Sequence, residues 1–328
     1  LGRALRLYRH YGGKFPEQMG VIMKKGRVVG IVVISFLWVT SFTAFAYEVV
    51  DVTGGATIVG TVTLKGVPPS PKAYNLVTFP DPEYCGRISD GQGWRLLKDF
   101  VVNDRSQLQG VVMVVEGVSS GKPFSLSIPK VEARDCQFLP FMTVVRDEHG
   151  IEVVNMDPVM HDIQAYETSL SQGTRVLFNS PLPFNPRHQR ENIHATHEHL
   201  PGQSLVHQFQ LSKGRKTFVM QCGFHAYMES WAIAVDNPYF TFTNKMGEYV
   251  ISSLPPGSYR IRAWHPSVKH EQVQAFTVEP NQTVRRDFSL ESPVGRWTAH
   301  TIQTPPRFTA AALGHPVLIE PLVEHQRP

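Results

Sequence analysis

The chain has 328 residues, enough for two or three small domains each with its own core, so neither a disulfide scaffold nor an obligatory partner is needed to fold it. Hydrophobic residues at 42% and charged ones at 18% suit a globular protein, and 25 Gly with 25 Pro point to many turns, few long helices and an all-β chain. The formal net charge of +4 excludes little: seven basic residues and one acid precede position 47, and the rest carries 25 basic and 27 acidic residues, a net −2 with no nucleic-acid footprint.

Residues 1–22 read as an upstream extension or a mis-set start, with Met23 the more natural beginning. From Met23 the chain runs through Lys24, Lys25 and Arg27 into "VVGIVVISFLWVTSFTAFA", with Ala44 and Ala46 at A-x-A positions, the pattern of a secretory signal over 23–46. The alternative is an uncleaved membrane anchor, since 28–46 approaches the roughly 20 residues that span a bilayer. Thr40, Ser41 and Thr43 weaken it. A cleaved signal places the protein in the periplasm or outside the cell. In an oxidising compartment two of the three cysteines pair, and the third needs a reason to stay free.

"GGATIVGTVTLKG" (54–66) and "LQGVVMVVEGV" (108–118) read as strands, with "DPEYCGRISDGQG" a loop between them. From 123, "FSLSIPKVEARDCQFLPFMTVVRDEHGIEVVNMD" gives three short strands broken by Pro, Asp and Gly. Residues 179–204, rich in Pro, Asn and His without apolar period, read as a long surface loop. "LVHQFQLSKGRKTFVMQC" returns to strands. After Asp236, "GEYVISSLPPGSYRIRAWHP" alternates Tyr259, Ile261 and Ala263 against Arg260 and Arg262 behind a Pro-Pro-Gly turn, and "VQAFTVEPNQTVRRDFSL" makes a second hairpin. Residues 291–328 show no sustained period and are expected to be a disordered tail.

Chemistry concentrates in "MQCGFHAYMES", where Cys222, His225 and Met228 stand three residues apart. A thiolate, an imidazole and a thioether with one further imidazole make a donor set suited to copper in electron transfer. The segment "NMDPVMHDIQAY" supplies His161 after a Pro turn, at the start of a strand. Together these resemble the cupredoxins, the plastocyanin- and amicyanin-like blue-copper proteins, over roughly 123–238. "CQFLP" is similar to the turn before the long strand of that family. The resemblance implies a Greek-key β-sandwich, one type 1 copper held by His161, Cys222, His225 and Met228, and an electron port at His225, near the surface among Phe224, Ala226 and Tyr227. It implies a redox partner protein, a cytochrome or a copper enzyme, and no enzymatic activity. Multicopper oxidases need His-x-His pairs, one of them flanking the cysteine, and a binuclear site needs a second Cys where Phe218 stands.

Asn155 and Asp162 are expected just outside the donors. The family usually has Asn after the first histidine, tying the ligand loops together, and Asp162 stands there instead. The span from His161 to Cys222 is long for the family, and the excess, 179–204, is near the metal in sequence only. Pairing Cys85 with Cys136 leaves Cys222 as the free thiolate. His194, His197 and His199, with His188 and His207 around them, are either a secondary metal cluster or a solvated loop. Met156, Met160 and Met220 read as packing rather than a soft-metal relay.

"TNKMGEYVISSLPPGSYRIRAWHP" resembles the second half of the carboxypeptidase regulatory-like, transthyretin-like β-sandwich modules, and "GTVTLKGVPP" (60–69) resembles the first half. The economical layout is one such prealbumin/Ig-like sandwich, 47–122 and 239–290, split by a cupredoxin domain at 123–238. Cys85 would then belong to the split sandwich and Cys136 to the inserted one, the bridge joining them. The alternative is two unrelated β segments. His265 reads as structural. The function this implies is an exported one-electron copper carrier, the alternatives being a periplasmic copper store or chaperone, or a non-redox structural or binding β-sandwich.

Overall fold

Strand Ala56–Lys65 buries alternate residues, Ala56, Ile58, Val62 and Leu64, as the period of two requires. In the computed structural model, which describes residues 47–293 apart from 70–71, 90–92, 98–99, 126, 170–172, 189–198 and 269, this strand is the hub of a sheet. It pairs antiparallel with Glu248–Leu254 and parallel with Thr283–Arg285 and Phe288–Glu291. Where those two parallel partners meet, a side chain at Gly60 would come within 1.9 Å of the Arg286 carbonyl, so only glycine lets the backbones approach there. A second sheet, in the order Phe240–Phe242, Val112–Glu116, Gly257–Trp264 and Gln272–Val278, faces the first across a core that includes Ile58, Met113, Val115, Ile251, Ile261 and Phe276.

The intervening residues build a larger two-sheet sandwich. One sheet runs Ser204–His207, Ile151–Asn155, Lys130–Ala133, Phe138–Leu139. The other runs Gly173–Leu182, His161–Ser169, Thr217–Gln221, Glu229–Ala234, Met142–Val145. Among the described residues the only α-helix is the single turn Pro82–Cys85, and no helix is long and apolar enough to cross a membrane. The chain is all-β, as its composition implies. The signal at 23–46 and the tail from 294 lie outside the described residues, and strand Phe288–Glu291 extends regular structure to the start of that tail.

Val112–Glu116 is buried at every position. Met113 and Val115 face the smaller sandwich's core, while Val112 and Val114, with Trp264 of the neighbouring strand, meet Met142, Val144 and Ile233 of the larger one. A strand covered on both faces carries no alternation, which explains the unbroken "VVMVV". Beside this seam Glu116 joins Lys216 of the larger sandwich at 3.2 Å to Arg262 at 2.8 Å and Arg260 at 3.3 Å in the smaller one.

One expectation is corrected. The described residues of 73–97, read as a loop of the smaller sandwich, instead pack Leu76, Tyr84, Cys85 and Leu97 into the core of the larger one, with Cys136, Cys222, Tyr227 and Met228. Their short elements bury an apolar side without a regular period, so no sequence pattern reveals the attachment.

Candidate metal centre

Strands Thr217–Gln221 and Glu229–Ala234 are antiparallel neighbours, and the seven residues between them form the hairpin loop that carries Cys222, His225 and Met228. The loop closes on itself, because Met228 donates its N–H to the His225 carbonyl at 2.8 Å and accepts from the Cys222 N–H at 3.2 Å. His161 opens the neighbouring strand, which pairs with Thr217–Gln221. Local hairpin geometry and one strand register therefore bring the three residues together.

The donor atoms form a triangle. His161 Nδ1 lies 3.2 Å from His225 Nδ1, and Cys222 Sγ lies 3.7 Å from His225 Nδ1 and 4.0 Å from His161 Nδ1. An ion about 2.0–2.3 Å from nitrogen and sulfur donors spaces them by roughly 3.4–3.8 Å, and the three sides lie within a few tenths of an ångström of that range. Both histidines are fully buried and Cys222 is 2% exposed. Burial pushes the Cys222 thiol up to about 12, and burial together with the neighbouring His161 pulls His225 down to about 3.

The outer nitrogens fix the tautomers. His225 Nε2 is 3.1 Å from the Pro80 carbonyl, which only accepts, so the hydrogen sits on Nε2 and Nδ1 presents a lone pair. His161 Nε2 is 2.9 Å from Asp157 Oδ2, with the same result for an ionised carboxylate. With those tautomers the two buried Nδ1 atoms face each other at 3.2 Å beside a sulfur and repel unless a metal ion, or a proton on one of the three donors, lies between.

Sequence reasoning missed Asp157, although it stands four residues before His161 in the quoted motif. Its carboxylate also accepts from the Cys136 N–H at 2.8 Å, the Asp135 N–H at 2.7 Å and the Tyr84 hydroxyl at 3.0 Å. Asp135 and Cys136 both have positive φ, 48° and 53°, and these converging bonds hold that turn.

Asn155 anchors the turn before His161. Its side-chain N–H groups reach the Val159, Leu182 and Pro183 carbonyls, and its oxygen accepts from the Asp157 N–H at 2.9 Å. Asp162 ties the two donor-bearing segments by accepting from the Gly223 N–H and, at 2.6 Å, from Gln164. A Cβ on Gly223 would meet Gln164 Nε2 at 2.6 Å and Asp162 Oδ2 at 2.9 Å, so any larger residue must push one of those side chains aside. Met228 is fully buried in the same core as Cys222.

His225 does not reach the surface. The segment reassigned above lies over it, with Pro80 on its outer nitrogen and Cys85 Sγ at 3.6 Å from the same atom. Phe79 packs edge-on against Tyr227 at 5.1 Å, and Arg95 stacks over the Tyr227 ring at 5.1 Å while donating to the Cys136 carbonyl at 2.8 Å. Cys85 and Cys136 form a disulfide, the pairing that leaves Cys222 free. The bridge lies within the larger sandwich rather than joining the two. Cys136, Asp157 and His161 also cluster, but the Cys136 sulfur is committed to that disulfide.

The described parts of the 179–204 stretch, 179–188 and 199–204, bring His188 and His199 near the centre in space, contrary to the sequence reading, and the first of them continues strand Gly173–Leu182. His199 Nε2 bonds Asp135 at 3.1 Å and its Nδ1 lies 4.0 Å from Asp157. Burial opposes a charge on His199, but the Asp135 bond and the two carboxylates outweigh it and raise its pKa. His188 is buried, edge-on to Tyr84 at 5.6 Å. His194 and His197 lie outside the described residues, and His207 stacks on Phe178. Met156 and Met220 are buried packing, Met160 is exposed, and His265 is a buried acceptor for the Ser267 N–H.

Residues 229–291 match the family model of the carboxypeptidase regulatory-like domain. No curated protein matches the chain significantly. Among solved structures, the chain is similar to a purple cupredoxin from Nitrosopumilus maritimus, at 16% identity and TM-score 0.23, over 33% of this chain and 99% of that one. It is similar to a copper-containing nitrite reductase from Thermus scotoductus SA-01, at 16% identity and TM-score 0.23, over 36% of this chain and 24% of that one. A reduced amicyanin variant aligns at 12% identity and TM-score 0.24, over 38% of this chain and 98% of that one. The match to the regulatory-like family begins inside the larger sandwich, at strand Glu229–Ala234.

Proposed function

We propose that the chain is an exported one-electron carrier that holds a single copper ion through His161, Cys222 and His225, with Met228 as a weaker fourth donor. The observation that carries this reading is the buried triangle of His161 Nδ1, His225 Nδ1 and Cys222 Sγ, with sides of 3.2, 3.7 and 4.0 Å. Two imidazoles and a thiolate with a nearby thioether are the donor set of copper electron-transfer sites. Bound copper supplies a one-electron couple between its cuprous and cupric states.

The protein's own part is to keep the donors still. His161 is fixed by Asp157, His225 by Pro80, and Cys222 by the self-closed hairpin. Donors held this way rearrange little when the charge between them changes. Their burial also favours a carrier over a store or chaperone, which must release its ion, and over an enzyme, which needs a position open to substrate. The partner is another redox protein, a cytochrome or a copper enzyme, and the disulfide suits an exported location.

The test is to load residues 47–328 with Cu+ while the thiols are reduced, oxidise the protein, and record a visible spectrum. One tightly held ion with an intense thiolate-to-copper band, lost in Cys222→Ser, is the expected result. Several weakly held ions without that band, or an unchanged band in the Ser variant, would refute the reading.

A further inference from the structure

The Cys85–Cys136 bridge and the free thiol of Cys222 address opposite sides of one ring. Cys85 Sγ is 3.6 Å from His225 Nε2, and Cys222 Sγ is 3.7 Å from His225 Nδ1. All three cysteines lie in one core cluster and none exposes more than 2% of its surface. Residues 76–89 carry Cys85, set the Pro80 carbonyl on His225 and place the Tyr84 hydroxyl on Asp157, which in turn holds His161. One short segment therefore covers the outer side of His225 directly and reaches that of His161 through Tyr84 and Asp157, and one covalent bond fastens it.

We infer that residues 76–89 are a cap that the Cys85–Cys136 disulfide locks over the metal centre, and that the ion is taken up before the disulfide forms. This rests on the reading of His161, Cys222 and His225 as a metal site, though not on the metal being copper. With the bridge closed, uptake or release requires opening a segment tied to the core at Cys136. With both cysteines reduced, only noncovalent contacts hold it, and local opening is easier.

The order also solves a pairing problem. Three thiols in one core can form three different disulfides in an oxidising compartment, and only one leaves a metal site. An ion on Cys222 occupies its thiolate and leaves Cys85 and Cys136 as the only pair. The closing step is thiol–disulfide exchange with a disulfide oxidant. The Cys85 and Cys136 thiols give up two electrons and two protons, one S–S bond forms between them, and the oxidant's S–S bond breaks to give two thiols.

Zn2+ tests this without copper's own redox chemistry, since it takes the same nitrogen and sulfur donors. Reduced protein is reoxidised with oxidised glutathione with and without Zn2+ and its disulfides are mapped. Zn2+ loss to a chelator is then timed for the oxidised protein and for the Cys85→Ser/Cys136→Ser variant. The expected results are native pairing favoured by Zn2+, and release at least about tenfold faster from the variant. If the variant fails to fold, wild-type protein loaded while reduced is timed before and after oxidation. Equal release rates from locked and unlocked protein, or native pairing formed equally well without metal, would overturn the lock while leaving the metal site standing. Protein that binds neither Zn2+ nor Cu2+ removes the site and the lock together.

Discussion

Asp157 Oδ2 lies 2.9 Å from His161 Nε2, and both side chains are fully shut off from solvent. A carboxylate on the far nitrogen of a ligating imidazole orients the ring and makes it a better donor. Asp157→Asn keeps an acceptor of the same shape and removes the charge. It is expected to lower metal affinity about ten- to a hundredfold and to raise the reduction potential of bound copper, because the lost negative charge favoured the oxidised ion. Competitive titration against a chelator and a redox titration check this; an unchanged potential would mean that Asp157 only braces the turn.

The contact between Asp162 and the Gly223 N–H joins the two segments that carry the donors. Gly223→Ala places a Cβ against Asp162 and Gln164 and must displace one of them. A loss of about 1–3 kcal/mol is expected, with weaker metal binding, and Asp162→Asn, which keeps the acceptor, is expected to be milder. Denaturant melts of the three proteins measure the difference.

The bridge between Cys85 and Cys136 closes a separation of 51 residues. In the chain-entropy view its removal costs at most about 4 kcal/mol. Oxidised, metal-free protein is expected to show one thiol on denaturation and almost none while native, because Cys222 is buried and its pKa is near 12. Alkylation followed by peptide mapping tests it, and Cys222 found in a disulfide would contradict the pairing.

Glu167 supplies a pH dependence remote from the centre. Burial pushes its carboxyl up, but hydrogen bonds from Arg175 at 2.6 Å and from Ser212 outweigh this and bring it down to about 2. A carboxyl depressed on folding stabilises above its unfolded value near 4.5, and that contribution fades as pH falls toward 2. With Arg175 half exposed and screened, roughly 1–2 kcal/mol is expected to disappear over this window, and Glu167→Gln should flatten it. Stability measured between pH 5 and pH 2 decides.

The cluster of His161, Cys222 and His225 was legible because each motif is local. Cys222, His225 and Met228 fit one hairpin loop, and the Pro turn of "NMDPVMH" sets His161 at a strand start, so spacing alone brings out the pattern. The period of two in "SYRIRAW" likewise appears as Gly257–Trp264, with Ile261 and Ala263 inward. What was illegible depends on contacts between distant positions. Nothing in "PDPEYC" announces that it lies over His225, so the expected surface histidine turned out to be buried. Asp157 was in plain view, but its role depends on Tyr84, Cys136 and His161 arriving from three other places.

Strand Ala56–Lys65 waits long for its partners. Thr61 pairs with Glu248, and the parallel neighbours Thr283–Arg285 and Phe288–Glu291 come later still. On a ribosome adding about 5–20 residues per second, the gap from Thr61 to Glu248 is roughly 10–40 seconds. Throughout that interval Ile58, Val62 and Leu64 have no complete sheet to join, whereas every strand of the larger sandwich has emerged by residue 234. The larger sandwich can thus close before the smaller one, and the apolar strand Ala56–Lys65 must be kept from strangers until Glu248–Leu254 and its parallel neighbours emerge.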